Sequence, residues 1–149
     1  MKEKKKTIAL SGGFDPPTRG QIAMIQEAAQ LGDVIIILNS DKWCAERRWN
    51  KKNFLNFEKR KRILLEVPGV VQVIRAIDDD GTVCESLRQL KPDFFGNGGT
   101  RTLDNTPEVK VCKELGIGML FFLGKNVAPT YDDILQHAII MTEEVENGH

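Results

Sequence analysis

The chain has 149 residues, of which 41% are hydrophobic. A chain of this length buries about 70% of the surface that its unfolded form exposes, so it can fold without disulfide or metal crosslinks. Lys and Arg together number 21, as do Asp and Glu, and the resulting net charge of zero argues against broad binding to nucleic acid or to an anionic membrane surface.

The three cysteines, Cys44, Cys84 and Cys112, are far apart and form no C-x-x-C pair. Their number and spacing exclude a zinc knuckle or a secreted disulfide framework as the first interpretation and favour a reducing compartment. The longest apolar runs, at 34–38 and 119–123, are too short to cross a bilayer. We therefore expect a cytoplasmic protein with neither a membrane nor a nucleic acid as its partner.

Short apolar runs alternate with helical patterns, and no repeat or linker divides the sequence, so residues 1–149 are predicted to form a single domain. In chain order, the predicted elements are a strand at 7–10, a helix at 22–31, a strand at 34–38, a helix at 57–66, a strand at 70–74, a helix from 82 to 90, a strand at 94–95, a helix between 106 and 116, a strand at 119–123 and a helix at 130–146. Strand and helix alternate five times, which predicts an α/β fold with a five-stranded parallel sheet and helices on both faces.

Several helix ends carry recognisable caps. The expected caps are Asn56, Thr82 with its capping-box partner Glu85, and Thr106 followed by Pro107, while Gly116 is expected to end a helix. Ligands of such sheets bind outside the carboxyl ends of the strands, where the strand order reverses. The candidate loops are therefore 11–20, 39–56, 76–81, 96–105 and 124–130.

The first of these loops carries the most information, because residues 11–21 read S-G-G-F-D-P-P-T-R-G-Q. Gly12 and Gly13 would let a ligand approach the backbone, and Gly20 would allow close contact at the start of a helix. The free N–H groups and the positive dipole of that helix end suit a phosphate. The spacing fits neither G-x-G-x-x-G nor G-x-x-x-x-G-K-[ST], and a plain strand-to-helix turn is the alternative.

Residues 12–21 resemble the G-x-F-D-x-x-H-x-G-H signature of the nucleotidyltransferase superfamily of cytidylyltransferase type. Further segments that resemble the family follow in the family's order, at 39–43, 57–60, 91–93, 97–99 and 114–117. The resemblance covers roughly residues 7–135 and implies a Rossmann-like, doubly wound sheet of strand order 3-2-1-4-5. It points to small sugar-phosphate and polyol-phosphate nucleotidyltransferases.

This resemblance implies a transfer of CMP from CTP, or of AMP from ATP, to a small phosphorylated acceptor such as a sugar or polyol phosphate, with release of pyrophosphate. In-line attack by an acceptor oxygen on the α-phosphorus needs positioning and charge stabilisation rather than a covalent enzyme group. Mg²⁺ is expected to accompany the triphosphate, ligated by water and phosphate rather than by a protein metal site. A homodimer is also implied.

The signature is incomplete, because Thr18 and Gln21 stand where the family has histidines. Both can donate a hydrogen bond to phosphate, but neither can carry a positive charge, and charge-assisted hydrogen bonds are roughly twice as strong as neutral ones. Arg19 would supply a charge one residue away from the motif positions. The alternative is therefore a catalytically weak or inactive nucleotide-binding module that kept the fold.

The resemblance also assigns the other site residues. Catalytic roles are expected for Thr18, Gln21, Arg47 and Lys51, and nucleotide binding for Gly12, Gly13, Phe14, Asp15, Gly20, Gly98, Gly99, Arg101, Lys125 and Thr130. The amides of Gly12 to Phe14 would bind phosphate, and Asp15 would tighten their loop. Two assignments have alternatives: the basic segment 47–52 as a solvated loop, and Thr130 as a simple helix cap.

Some other side chains are expected to have structural roles. The run 78–80 is three aspartates, which could bind a cation but more often form a polar turn. His137 and His149 lack partners for acid–base chemistry. Trp43 is expected to pack in the core, whereas Trp49 would either stack on a base or lie on the surface.

Overall fold

The computed structural model describes residues 5–99 and 101–124. Its elements are β1 (Thr7–Gly12), α1 (Arg19–Leu31), β2 (Asp33–Leu38), α2 (Asp41–Glu46), α3 (Phe57–Leu65), β3 (Val70–Arg75), α4 (Cys84–Leu90), β4 (Phe94–Gly98), α5 (Val109–Leu115) and β5 (Gly118–Leu123). The strands form one parallel sheet of order β3-β2-β1-β4-β5, which confirms the predicted α/β fold and strand order. The predicted helix at 130–146 lies outside the described residues.

Helices cover both faces of the sheet, as predicted. Successive side chains of a strand point to opposite faces, and the central strand β1 shows this directly. Ile8 and Leu10 are fully buried in a cluster with residues of α1 and α3, whereas Ala9 is fully buried in a second cluster with residues of α4 and α5. Within the described ranges, no helix is long and apolar enough to cross a membrane.

The element ends differ from the predictions in a few places. The predicted cap Asn56 and the predicted stop Gly116 are confirmed. Helix α2 was expected as a loop, because six residues are too few to show a helical period; it begins where the Ser40 side chain accepts from the Trp43 N–H (3.1 Å). Helix α1 begins at Arg19, three residues before the predicted start.

Side chains from outside α4 hold its first turn, which corrects the predicted capping box. Val83 is the N-cap residue, and its side chain makes no capping bond. The Asp78 carboxylate instead accepts from the backbone N–H groups of Glu85 (2.7 Å) and Ser86 (3.0 Å). The predicted box between Thr82 and Glu85 is wrong, because Asp78 reaches the first-turn amides from the preceding turn.

Helix α5 also begins later than predicted, at Val109. Thr106 and Pro107 lie in the turn before it, where the Thr106 carbonyl accepts from the Val109 N–H (3.2 Å). The predicted cap at Thr106 is wrong, because Glu108 is the N-cap residue and the Thr106 hydroxyl donates to the Thr102 carbonyl (2.6 Å). The buried Glu108 carboxylate accepts from the Val83 N–H (3.3 Å) and joins the starts of α4 and α5. Burial raises the pKa of this carboxyl.

The acidic run 78–80 forms a polar turn, as its more frequent interpretation predicts. The Asp80 carboxylate accepts from the Thr82 N–H (3.0 Å) and hydroxyl (2.7 Å), and these bonds lower its pKa. Across residues 5–99 and 101–124, no three His, Cys, Asp or Glu side chains are grouped in a way that could hold a metal ion.

Removal of the α4 cap should destabilise the protein. We expect Asp78→Ala to lower the free energy of unfolding by about 1–2 kcal/mol, because two first-turn amides lose their acceptor. The neighbouring exposed residue gives the matched control, Asp79→Ala, for which we expect a much smaller change. Urea unfolding measures both, and equal losses in the two variants would contradict the assignment of Asp78 as the cap.

Candidate active site

The strand order reverses between β1 and β4, and the carboxyl ends of such strands are where open α/β sheets bind ligands. β1 pairs with β2 as far as Gly12 and Leu38, but its pairing with β4 ends at Ala9 and Phe95. The carboxyl-terminal parts of β1 and β4 are therefore not paired with each other. The loop of residues 13–18, named here the β1–α1 loop, leaves β1 beside this opening.

Packing of α2 explains the glycine at position 13. A Cβ atom at Gly13 would lie 2.9 Å from both the Cys44 Sγ atom and the Trp43 ring. The buried Cys44 thiol donates to the Gly13 carbonyl (3.9 Å), and burial raises its pKa, which keeps the thiol neutral. At Gly20, by contrast, a Cβ atom would meet just the Thr18 Oγ1 atom, at 4.0 Å. Within residues 5–99 and 101–124, the expected tight contact at Gly20 is not seen, and the space beside its Cβ position holds no other described side chain.

Phe14 fixes the beginning of the loop to the core. Its ring is 2% exposed and packs in the cluster of α1 and α3, and a Cβ atom at Gly12 would approach that ring to 3.0 Å. The Gly12 carbonyl accepts from the Asn39 N–H (3.0 Å). The backbone N–H groups of Gly13 and Phe14 donate to no residue that the structure describes.

Thr18 and Gln21 cap the start of α1 by bonding to each other. The Thr18 Oγ1 atom accepts from the Gln21 N–H (3.2 Å), and the Gln21 Oε1 atom accepts from the Thr18 N–H (2.9 Å). Each side chain uses its oxygen as an acceptor, and no acceptor for the Thr18 hydroxyl proton or the Gln21 amide protons lies among the described residues, so both groups can donate to a phosphate. The T-x-x-Q spacing is itself the signature of a capping box.

Asp15 joins the β1–α1 loop to residues 47–55, which include the basic segment 47–52 and are named here the cation-rich segment. Its carboxylate accepts from the N–H groups of Phe54 (2.7 Å) and Leu55 and lies 3.6 Å from the Arg48 guanidinium. Arg48 also donates to the Asp15 carbonyl (2.8 Å). Asp15 was expected to tighten its own loop; its bonds join that loop to residues more than thirty positions away.

Arg47 and Lys51, the two expected catalytic cations, bond instead to the end of α2. Arg47 stacks on the Trp43 ring at 3.7 Å and donates to the Trp43 carbonyl (3.1 Å). Lys51 donates to the Glu46 carbonyl (3.2 Å). The neighbouring Arg48 is the cation of this segment that reaches the β1–α1 loop. Trp49 is 94% exposed, in agreement with its surface interpretation.

Arg60 is the site residue that sequence reasoning missed. It belongs to α3, its side chain has no exposed surface, and it donates to the carbonyls of Gly13 (2.8 Å), Asn39 (2.8 Å) and Leu55 (3.0 Å). Its remaining nitrogen bonds to the Asp41 carboxylate at 2.8 Å. The sequence signal was the arginine of the 57–60 segment, which matched the family pattern but carried no assigned role.

The other side of the opening is formed by the end of β4. A Cβ atom at Gly98 would lie 2.9 Å from the Met24 Sδ atom of α1, so this glycine permits close packing. Gly99 has φ 61°, and a Cβ atom there would meet no described atom within 4 Å. Arg101 is exposed and donates to the Asn105 carbonyl (2.7 Å), which folds the loop back on itself.

The chain leaves β5 beside the first turn of α1. The Gly124 N–H donates to the Glu27 carboxylate, and a Cβ atom at Gly124 would lie 3.2 Å from the Gly20 carbonyl oxygen. The expected phosphate contacts Lys125 and Thr130 lie outside the described residues, and their roles stay predictions.

Comparisons with known proteins give a consistent result. The profile of the family described as cytidylyltransferase-like matches residues 9–122. A D-beta-D-heptose 1-phosphate adenylyltransferase of Bordetella bronchiseptica is 28% identical over 126 residues, which cover 84% of this chain and 73% of that protein. The bifunctional protein HldE of Pelobacter propionicus is 30% identical over 112 residues, which cover 74% of this chain but 22% of that protein.

A solved structure shares the fold. The lipopolysaccharide core biosynthesis protein from Thermoplasma volcanium GSS1 superposes with a TM-score of 0.59 at 19% identity, covering 79% of this chain and 94% of that one. At this level of identity the likeness shows the fold alone.

The two glycines of the loop region should respond oppositely to alanine. Gly13→Ala should lower the free energy of unfolding by about 1–3 kcal/mol, because its Cβ atom would overlap Trp43 and Cys44. Gly20→Ala should raise it by about 0.5–1 kcal/mol, since helical alanine is favoured where space is open. Urea unfolding tests the pair, and a stabilised Gly13→Ala would contradict the packing described.

Proposed function

Since the chain belongs to the cytidylyltransferase-like family of nucleotidyltransferases, we propose that it transfers AMP from ATP to the phosphate of a sugar 1-phosphate of the heptose class and releases pyrophosphate. AMP is preferred to CMP because the similar Bordetella bronchiseptica protein is named an adenylyltransferase and aligns with 84% of this chain. The same name supports a sugar 1-phosphate rather than a polyol phosphate as the acceptor.

The main support for the proposal comes from two backbone N–H groups of the β1–α1 loop. The N–H groups of Gly13 and Phe14 donate to no described residue, and they lie beside the start of α1 at the strand-order reversal. Backbone amides of this kind pair with a ligand or with water. Together with the positive end of α1, they offer donors for the phosphates of a triphosphate.

The reaction requires the site to position the two substrates and to donate hydrogen bonds to the leaving pyrophosphate. The acceptor phosphate oxygen attacks the α-phosphorus in line, the bond to the bridging oxygen of pyrophosphate breaks, and no covalent enzyme group takes part. Thr18 and Gln21 donate neutral hydrogen bonds from the positions of the family's histidines. Arg48, held by Asp15, supplies positive charge in place of Arg47 and Lys51.

Mg²⁺ is proposed to arrive with the triphosphate and to be ligated by phosphate and water. The contacts of Asp15 support this proposal, because its carboxylate is already bonded to two amides and an arginine. We also propose, from the family resemblance, that the chain forms a homodimer.

The proposal is tested by pyrophosphate release with ATP or CTP, each paired with a heptose 1-phosphate or a polyol phosphate. We expect ATP with the heptose 1-phosphate to exceed every other pair at least tenfold. Gly20→Ala should weaken ATP binding while it stabilises the fold, because its Cβ atom would occupy space left for phosphate. Release with CTP alone would overturn the assignment of AMP.

A second function is favoured by one observation, the replacement of both signature histidines by Thr18 and Gln21. Loss of one well-placed transition-state donor typically costs about 100- to 1,000-fold in rate, so the chain could instead be a nucleotide-binding module. Thermal stabilisation by ATP without pyrophosphate release from any acceptor would establish this alternative.

Restoring the imidazoles should accelerate a slow transferase. For the double variant Thr18→His and Gln21→His we expect single-turnover pyrophosphate release to rise at least tenfold, which is about 1.4 kcal/mol of transition-state stabilisation. ATP affinity should change less than the rate, because the added charge acts as pyrophosphate leaves. The control Thr18→Ser keeps a capping hydroxyl and should leave the rate nearly unchanged. A slower double variant would show that the capping box itself supports catalysis.

A further inference from the structure

Arg60 connects three segments that the sequence separates widely. From α3 its guanidinium donates to the Gly13 carbonyl after β1, to the Asn39 carbonyl after β2 and to the Leu55 carbonyl at the end of the cation-rich segment. Asp41 supplies the one negative charge in contact with it among the described residues, at 2.8 Å. No part of the Arg60 side chain is exposed, so Arg60 acts from beneath the site surface.

The bonds to the loop carbonyls determine where the loop amides point. In a trans peptide the N–H group points opposite to the C=O group of the same plane. The Gly12 carbonyl is held by the Asn39 N–H, which turns the Gly13 N–H away from the end of β2. The Gly13 carbonyl is held by Arg60, which turns the Phe14 N–H away from the buried guanidinium.

Two successive amides are thereby left as donors to a ligand. Neither Gly13 nor Phe14 donates its N–H to a described residue, and Phe14 has φ 49°, in the left-handed region. A left-handed residue is part of the backbone pattern in which successive N–H groups converge on an anion. The start of α1 follows five residues after Phe14 and contributes its own positive dipole.

We propose that Arg60 is a positioning residue of the phosphate site: by holding the Gly13 carbonyl it aims the Phe14 amide at the triphosphate, without contacting the nucleotide itself. This inference rests on the proposed function, because it presumes that the β1–α1 loop binds a triphosphate. Arg60 thereby supports binding of the phosphates through the Phe14 amide and takes no part in recognition of the base.

Arginine is suited to this role by its shape as well as by its charge. Its planar guanidinium presents five N–H donors in a fixed fork, whereas a lysine ammonium offers three donors at the end of a flexible stem. One lysine nitrogen cannot reproduce the three separate directions of the bonds to Gly13, Leu55 and Asp41. Arg60→Lys therefore keeps the charge and loses the geometry.

The test compares ATP with adenosine, which lacks phosphates, by titration calorimetry on the full chain with Mg²⁺ present. For Arg60→Lys we expect ATP affinity to fall about tenfold or more, since an oriented donor is lost, and adenosine affinity to stay unchanged. The matched control is Arg62→Lys, on an exposed position of the same helix, which should leave both affinities as in the parent. A general structural defect would lower both affinities together.

If Arg60→Lys does not fold, the variant Asp41→Asn tests the positioning role instead. Asp41→Asn changes a half-exposed partner of the guanidinium and loosens the position of Arg60 while leaving its charge. If Arg60 acts by positioning, ATP affinity should fall severalfold; if Arg60 acts through its charge, removal of the aspartate should raise ATP affinity. A rise would overturn the inference.

The remaining outcomes show whether the positioning role of Arg60 fails alone or together with the proposed function. If the parent chain binds ATP and Arg60→Lys binds it equally well, the positioning role is wrong and the proposed function stands. Equal loss of ATP and adenosine affinity in a folded Arg60→Lys variant would also overturn the positioning role. If the parent chain does not bind ATP, the proposed function fails and this inference fails with it.

Discussion

The buried guanidinium of Arg60 constrains the whole site end of the sheet. An uncompensated charge in a protein interior is costly, and breaking a buried pair typically costs about 3–5 kcal/mol, so the acceptors around Arg60 must stay in place. Three of them are backbone carbonyls on separate segments. The loops after β1 and β2 and the approach to α3 are therefore positioned together, and a shift of one of them would leave part of the guanidinium without a partner.

Asp15 provides a second connection between the same parts of the molecule. Its side chain is 7% exposed and its partners are two backbone amides and Arg48. Arg60 thus holds carbonyl groups and Asp15 holds amide groups, and both act between the β1–α1 loop and the segment before α3. The cation-rich segment is consequently anchored at the loop by Arg48 and Asp15, while Arg47 and Lys51 are engaged at the end of α2.

The sheet could be predicted from the sequence because apolar periodicity is a local property, and the strand order followed from the family resemblance. The caps and the site bonds were harder, because they join distant residues. Asp78 reaches the first turn of α4 from a separate turn, and Arg60 bonds to Gly13 across 47 positions. The capping box of Thr18 and Gln21 was visible in its spacing, but the resemblance directed attention to phosphate donation. Gly13 was expected to let a ligand approach the backbone, whereas Trp43 and Cys44 occupy the space beside it.

The packing of Trp43 against the β1–α1 loop also has a spectroscopic consequence. The chain has two tryptophans, and their surroundings differ strongly. Trp49 is 94% exposed, so its indole emits as a solvated fluorophore and is open to collisional quenchers. Trp43 lies against Gly13 and under the Arg47 guanidinium at 3.7 Å, so its emission depends on the loop and on that cation. Trp43 is less exposed than Trp49, so an aqueous quencher reduces the Trp49 emission more strongly, and the remaining Trp43 emission is an intrinsic optical probe of the site.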